Sequence, residues 1–397
     1  MLTGVQVMVP LPPRSRALCR LWCLQQQRAA FGTSAASPPP QTAVVMMNMG
    51  GPARLEDVHD FLLRLFSDTD IIKLPVQSRL GPWIARRRTP DIQKKYAEIG
   101  GGSPILKWTN IQGELMCKQL DQISPETAPH KHFVAFRYVS PLTEETIPQV
   151  LASGVKRVVL FSQYPQYSCA TTGSSINALH QYCQQHPLPA DVRLSVIDRW
   201  PTHPGLVRTF AANIRAQLEQ LPTEVQRQMV LLFSAHSLPL RAVARGDPYP
   251  AEVGATVQAV MAELGHSHPY RLVWQSKVGP LPWMEPATDA AIEAVAKRGF
   301  KHLMLVPISF VNEHIETLHE LDIEYAKDLG EKTGASIYRV PAPNDHPEFI
   351  GALADTVRSH LAAGGGVRPQ LLMTCPMCTN PACFPAKRWL GETINRT

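Results

Sequence analysis

The 397-residue chain is 44% hydrophobic, has a formal net charge of +6 and a sequence pI near 8.9. A chain of that length and apolar content buries a large core, as two domains or one large one, which excludes a disordered protein. The basic excess is mild and partly confined to the first thirty residues, no nucleic-acid-binding motif is recognisable, and no run of eighteen apolar residues occurs, so neither nucleic acid nor a membrane span is expected.

From Met1 to Leu55 there is no Asp or Glu, while Arg14, Arg16, Arg20 and Arg28 alternate with Leu18, Leu21, Trp22 and Leu24. Phe31-Gly32-Thr33-Ser34 and the prolines Pro38 to Pro40 follow. The pattern is that of a mitochondrial presequence, with a disordered tail as the alternative. Residues 1–40 are therefore set apart from the fold. The expected compartment is the mitochondrial matrix, where thiols stay mostly reduced.

After this segment, short β-rich runs at 43–47, 133–138, 157–161, 193–198, 229–233, 270–275 and 302–306 alternate with amphipathic stretches at 56–66, 143–152, 204–221, 250–264 and 289–298. Regular alternation predicts an α/β fold of parallel sheets flanked by helices. Two such sets predict two similar Rossmann-like lobes, 41–200 and 201–370, meeting near residue 200 and followed by an extension at 371–397.

Gly50-Gly51-Pro52 follows the first strand, and Gly100-Gly101-Gly102-Ser103-Pro104 is a second turn of the same kind. Both lack the dinucleotide fingerprint and the Walker lysine, so they are read as tight turns through which backbone approaches a flat ligand. In Phe61-Leu62-Leu63-Arg64-Leu65-Phe66, and again in 80–88 ending at Arg86-Arg87-Arg88, apolar side chains abut basic ones. Such a surface suits an anionic bilayer that it does not cross, or a large apolar ligand bearing carboxylates with Arg88 as bidentate partner.

Of eight cysteines, three stand as Cys375-x2-Cys378-x4-Cys383, and Cys169 lies upstream in Gln166-Tyr167-Ser168-Cys169. Together they make a four-thiolate metal site, zinc or iron–sulfur, between which the spacing does not choose. The reducing compartment disfavours disulfides. Cys19 and Cys23 leave with the presequence, and Cys117 and Cys183 read as semi-buried thiols on helices.

His236 lies just past the strand 229–233, between Ser234 and Ser237, where α/β proteins place active sites. Past the strand 302–306 come His314 and a carboxylate ridge, Glu316, Glu320 and Glu324, spaced by four. Like charges at that spacing repel on a helix, so the ridge is either solvated or built to handle protons or cations. His236, His314 and Glu316 can converge on one crevice, a constellation suited to proton abstraction or transient coordination of a divalent metal, not to a closed zinc site. His203, beyond a strand ending at Asp198, and Asp355, on a late helix beside Leu353 and Val357, each read alone as structural.

The chain resembles the ferrochelatase family in its animal mitochondrial form. The likeness rests on Asn48-Met49-Gly50-Gly51-Pro52, Arg86-Arg87-Arg88-Thr89-Pro90, Gly100-Gly101-Gly102-Ser103-Pro104, Gln163-Tyr164-Pro165-Gln166-Tyr167-Ser168-Cys169, Asp198-Arg199-Trp200-Pro201-Thr202-His203, Ser234-Ala235-His236-Ser237 and the ridge. The resemblance implies insertion of ferrous iron, as substrate, into protoporphyrin IX, the last step of haem synthesis. It also implies a homodimer peripheral on the matrix face of the inner mitochondrial membrane. Cys169, Cys375, Cys378 and Cys383 would hold a [2Fe-2S] cluster, one per chain, within the C-terminal extension. Arg88, Tyr96 and Ser103 would contact the porphyrin, together with Arg137. Met49, Trp283 and a lip of Leu62, Leu65 and Phe66 would press on the ring and hold its edge.

His236 and Glu316 match the family's central catalytic pair, with His314 and Glu320 beside them; His203 and Asp355 match further positions proposed to act. His236 would take pyrrole protons, and Glu316, Glu320 and Glu324 would carry protons out or metal in. Glu313 and His319 depart from the expected Asp and Tyr, and His319 adds a titratable group beside the ridge. The rival readings are an inactive iron–sulfur sensor or metal carrier of the same fold, which would be expected to lose His236 or Glu316, and a cobalt or nickel chelatase, which the porphyrin lip and presequence disfavour.

Overall fold

Among the described residues eight strands, each holding branched or aromatic residues, assemble into two four-stranded parallel sheets. The computed structural model describes residues 40–71, 73–279 and 281–395; the presequence expected at 1–40 lies almost wholly outside them. The first sheet contains β1 (Thr42–Asn48), β2 (His130–Phe136), β3 (Arg157–Ser162) and β4 (Arg193–Ile197), in the order β2-β1-β3-β4. The second contains β5 (Met229–His236), β6 (Tyr270–Gln275), β7 (His302–Pro307) and β8 (Ser336–Arg339), in the order β6-β5-β7-β8. The two orders are the same, so the winding reverses between β1 and β3 and again between β5 and β7. Ligand crevices of open α/β sheets lie at those reversals, past the carboxyl ends of the strands.

β1 is buried from end to end. Val44 and Met46 face one cluster of buried residues while Ala43, Val45 and Met47 face another, as the period of two requires for a sheet covered on both sides. The largest cluster joins the sheets, taking Val44, Met46 and Phe161 from the first and Phe233, Met304 and Val306 from the second. It is filled by helices α3 (Ile105–Ile123), α6 (Pro204–Glu219), α7 (Tyr249–Glu263) and α9 (Pro347–Ala362), which contribute Met116, Phe210, Val257 and Phe349.

Between β1 and β2 the chain forms a hairpin of α1 (Val58–Ser67) and α2 (Gln77–Glu98). Its satellite core consists of Val58, Leu62, Phe66, Ala85 and Tyr96. Residue 81 must be glycine, because a Cβ there would lie 2.8 Å from the Phe66 carbonyl oxygen. Among the described residues the remaining α-helices of ten or more residues are α4 (Thr143–Ala152), α5 (Ser174–Gln185), α8 (Thr288–Lys297) and α10 (Cys383–Asn395). Ala386 and Leu390 of α10 share a cluster with Ile176, Leu179 and Cys183 of α5, so the C-terminal extension docks on the first sheet.

Several expectations need correction. The strand expected at 133–138 begins at His130 and ends at Phe136. α2 escapes a periodicity reading because only Gly81, Ala85 and Tyr96 of its 22 residues are buried and it contains two prolines. β8 has four residues at a half-exposed edge and leaves too little pattern to read. Cys117 and Cys183 are buried, at 6% and 4% exposure, rather than semi-buried. Among the described residues no helix is long and apolar enough to cross a membrane.

Candidate active site at the strand ends

His236 is the last residue of β5, and its backbone N–H donates to Ser309 Oγ at 3.3 Å, past the end of neighbouring β7. The ridge lies on a π-helix, Glu316–Leu329, anchored at its start by Glu313. One Glu313 oxygen accepts from Arg339 Nη1 at 2.8 Å and from the Ala342 N–H at 2.9 Å, and the other accepts from Thr317 Oγ1 at 2.5 Å. With i→i+5 hydrogen bonds a turn takes in more than four residues, so side chains four apart stay on one side; π segments concentrate at functional sites. Thus Glu313, longer than the Asp expected there, serves as a buried anchor.

Glu316 Oε2 lies 2.9 Å from His236 Nδ1. One turn on, Glu320 accepts from Ser276 N–H at 2.8 Å, Ser276 Oγ at 2.5 Å, Gln275 Nε2 at 3.1 Å and Tyr325 Oη at 2.8 Å. Ser276 Oγ also lies 3.5 Å from Glu316 Oε2, so it touches both carboxylates. Glu324 pairs with Lys95 at 2.6 Å, and His319 stands between Glu98, at 2.7 Å, and Glu324, at 3.3 Å. The ridge is therefore not a solvated face; α2 neutralises its far end.

The two catalytic candidates retain solvent access, with 40% of the His236 side chain and 28% of the Glu316 side chain exposed. Burial disfavours the charged imidazole, but the Glu316 charge, its hydrogen bond and Glu320 outweigh that, and the His236 pKa is raised. Burial likewise works against the Glu316 carboxylate; His236, then His314 and Ser276, overrule it and bring the pKa to about 2. Glu320 moves the other way: burial and the neighbouring Glu316 charge raise it against the donors from Ser276 and Tyr325. Two carboxylates one turn apart are thereby split, one firmly ionised and one able to hold a proton.

Three phenols feel the Glu316 charge. Tyr96, Tyr164 and Tyr249 are each raised above the usual tyrosine value by burial and by the Glu316 charge, Tyr164 and Tyr249 against opposing hydrogen bonds. Tyr164, past the end of β3, donates to Asn48 Oδ1 at 2.9 Å and accepts from the Met49 N–H at 3.0 Å, joining the two sides of the first sheet's crevice. Gly50 follows at φ +79°, and a Cβ there would lie 2.7 Å from the Phe136 ring. At Gly51 the close neighbours are Ser103 Oγ and Tyr96 Oη, and a Cβ at Gly102 would meet the Ala53 carbonyl, so the two glycine turns pack on each other, while Gly100 and Gly101 face open space.

Other predicted residues fall in distinct places. His314 donates from Nδ1 to Asn312 O at 3.0 Å and packs on Phe310, with ring centroids 4.7 Å apart. His203 caps α6, its Nδ1 accepting from Gly205 N–H at 3.2 Å while Nε2 faces Asp355 Oδ2 at 3.2 Å; these two pair with each other, no hydrogen bond joining them to His236 or Glu316 among the described residues. Ser103 is nearly buried and borders a cleft of about 400 Å³ shared with Lys107, Trp108, Glu313 and Leu318. Arg88 is half-buried over the Phe66 ring, 5.8 Å from its centroid, and Arg137 is paired with Asp68 at 3.0 Å. Leu62 and Phe66, each 4% exposed, pack inside the lip, leaving Leu65 partly open. Trp283 pairs with Pro239 in an isolated bridge.

The four predicted thiols gather in one neighbourhood. Burial, then Asp247 and the Cys375 and Cys383 thiols, hold Cys169 well above the usual thiol value, while Cys383, beside Cys378 and Cys375, is pushed up to about 11 against Lys387. The six described cysteines are free of disulfides. No group of three or more His, Cys, Asp or Glu has metal-ligating geometry among the described residues.

Sequence reasoning missed Ser276, Gln275, Tyr249, Ser309 and Tyr325. A signal existed for Ser276, which follows the strand 270–275 at the end where β5 carries His236 opposite Gln275. Its φ of +64° is a strained value for a residue with a side chain, the kind of outlier found where function over-determines backbone.

The sequence model of the family described as Ferrochelatase matches residues 41–361. The chain is 60% identical over 353 residues to "Ferrochelatase, mitochondrial" of Drosophila melanogaster, covering 89% of this chain and 92% of that one. It is 55% identical over 348 residues to the protein of the same name from Gallus gallus, 87% of each chain. With that of Homo sapiens it shares 50% over 400 residues, 97% of this chain and 95% of the other.

Proposed function

The chain belongs to the ferrochelatase family, mitochondrial enzymes that insert ferrous iron into protoporphyrin in haem synthesis, and from that premise we propose that the cleft at His236 and Glu316 is where the iron enters the ring. The observation that carries this is the 2.9 Å pairing of His236 Nδ1 with Glu316 Oε2 at the strand end beside the β5/β7 reversal. Porphyrin metallation removes two pyrrole protons as a dehydrated metal enters a rigid macrocycle, so it needs a base, a route for protons and a wall that bends the ring.

His236 Nε2 makes no hydrogen bond among the described residues and is the atom that takes a pyrrole proton. Glu316, ionised down to about pH 2, then stabilises the imidazolium through Nδ1. Glu320, with its raised pKa, receives the outgoing proton, and Ser276 Oγ spans the two carboxylates. Beyond it, Lys95 and His319 close the ridge at Glu324, which favours protons outward over metal inward along this path.

Met49, Tyr96, Ser103, Leu65, Trp283, Arg88 and Arg137 bound the ring, while Leu62 and Phe66 stiffen the lip from within. The arginines suit the porphyrin's carboxylates. His203 and Asp355 form a second acid–base pair with access to solvent on the carboxylate side.

Cys169, Cys375, Cys378 and Cys383, with Lys387 beside them, fit an anionic [2Fe-2S] cluster: four thiols and a cation that offsets the thiolate charge. When bound, such a cluster supplies a redox centre and a covalent staple for the C-terminal loop. A homodimer peripheral on the matrix side of the inner membrane follows from the family resemblance, and the exposed Val76 and Trp83 beside Arg86 and Arg87 suit an anionic bilayer surface.

The deciding experiment incubates purified protein with protoporphyrin and ferrous iron without oxygen and follows free-porphyrin fluorescence. Enzyme-dependent loss of that fluorescence is expected; its absence overturns the reading. The inactive-carrier alternative gains nothing from the site, because both members of the pair are in place.

A further inference from the structure

The turn between α1 and α2 touches the cysteine loop at two points. Asp70 divides its carboxylate, Oδ1 accepting from Asn380 Nδ2 at 2.7 Å and Oδ2 from Asn177 Nδ2 at 2.8 Å. Lys73 Nζ donates to Thr379 O at 3.0 Å. Thr379 and Asn380 lie between Cys378 and Cys383.

The same carboxylate belongs to a chain that runs inward. The Asp70 N–H donates to Asp68 Oδ1 at 2.8 Å. Asp68 Oδ2 accepts from Tyr138 Oη at 2.5 Å and Ser174 Oγ at 2.9 Å, and lies 3.0 Å from Arg137 Nη2. A continuous set of polar contacts thus leads from the thiol loop, through Asp70 and Asp68, to the guanidinium of Arg137, assigned above to the porphyrin.

Neither end has a large core of its own. In and around the thiol loop Met373, Met377 and Phe384 are 62%, 65% and 57% exposed, so apolar burial does little to fix its shape. The lip is a two-helix hairpin with a satellite core. Ligation of the thiols is what can hold the first, and the Asp70 and Lys73 bonds pass that order to the second.

We propose that Asp70 and Asn380 are positioning residues that couple the folded state of loop 375–383 to the porphyrin lip, so that thiol ligation sets porphyrin affinity without altering the chemistry at His236 and Glu316. This rests on the cluster and porphyrin assignments above. It gives the thiol centre a mechanical part in a reaction it does not touch.

The test measures protoporphyrin binding in the absence of iron by quenching of protein fluorescence, alongside the visible absorbance of the cluster and the kcat and KM of iron insertion. Asn380→Asp sets a carboxylate against Asp70 and is expected to weaken porphyrin binding and raise KM about fivefold, the scale of one lost hydrogen bond, with kcat and absorbance retained. The exchange Asp70→Asn with Asn380→Asp restores a donor to an acceptor while still serving Asn177, and affinity should return to within about twofold. Unchanged binding in Asn380→Asp with the absorbance intact, or failure of the exchange to rescue, overturns the proposal.

If Asn380→Asp loses its colour, Lys73→Met decides, since it removes only the contact to the Thr379 carbonyl: about threefold weaker binding with colour intact supports the coupling, and wild-type binding refutes it. A colourless wild-type protein that still inserts iron removes the cluster premise, and with it the proposal, while leaving the functional reading in place. Wild-type protein that does not insert iron sinks the functional reading by itself.

Discussion

His236 Nδ1 and Glu316 Oε2 stand 2.9 Å apart, and each moves the other's titration: the imidazole is raised and the carboxyl falls to about 2. The residues come from positions 236 and 316, joined by the pairing of β5 with β7. Their contact fixes which ring nitrogen is free to act.

Glu316→Gln keeps the shape of the side chain but removes the charge that stabilises imidazolium. Turnover should fall by about 100-fold or more, the usual weight of a positioned acid–base partner, with porphyrin still bound. Stopped-flow iron insertion alongside porphyrin titration checks this; a wild-type rate would eliminate the pair's role.

The pair also writes itself into stability against pH. Glu316 is depressed from 4.5 to about 2, so its contribution is present above pH 4.5 and is lost as pH falls through about 2. His236 is raised from 6.5, so its contribution is complete below pH 6.5 and is lost as pH rises through the folded-state value. Thermal melts should therefore show the wild type's advantage over Glu316→Gln to be largest between pH 4.5 and 6.5 and to shrink on both sides. A pH-independent difference would contradict the linkage.

Ser276→Ala deletes the hydroxyl that touches Glu316 and Glu320 but preserves the backbone N–H bond to Glu320. One hydrogen bond to a charged group is worth about 1.5 kcal/mol, or roughly tenfold in kcat. The solvent isotope effect on kcat should rise with the slower proton exit. Unaltered kcat and isotope effect would remove Ser276 from the path.

Arg339 holds Glu313 at 2.8 Å and Asp322 at 2.5 and 2.9 Å, fastening the π-helix to β8. Arg339→Met leaves two carboxylates in or near the interior without their cation and should destabilise by about 3 kcal/mol in urea unfolding. A loss below about 1 kcal/mol would mean that solvent reaches the pair and that the anchor is weak.

Cys378→Ala should bleach the visible absorbance expected of an iron–sulfur centre. Zinc in place of iron would instead give a colourless wild-type protein, distinguishable by metal analysis.

Seven of the eight strands among the described residues were legible because each carries a run of apolar residues ended by turn chemistry. β8 did not, and α2 was hidden by its prolines and exposed face. The candidate residues His236, Glu316 and Glu320 were legible because they follow strand ends or repeat at a helical interval. Tyr249 was not, since it opens a helix and nothing local to it tells which strand end it approaches.

The sequence by itself determined the alternation of strand and helix, the gathering of three thiols within nine residues and the repeat of carboxylates by four, since each is a local pattern of side-chain type along the chain. Only the tertiary structure decided what those carboxylates do. The π-helix brings Glu316 to His236, Glu320 to Ser276 and Glu324 to Lys95, so three residues identical in sequence acquire three different partners. Electrostatics falls off over a few ångströms, and neighbours at that distance are set by how the sheets and the lip pack, not by position along the chain.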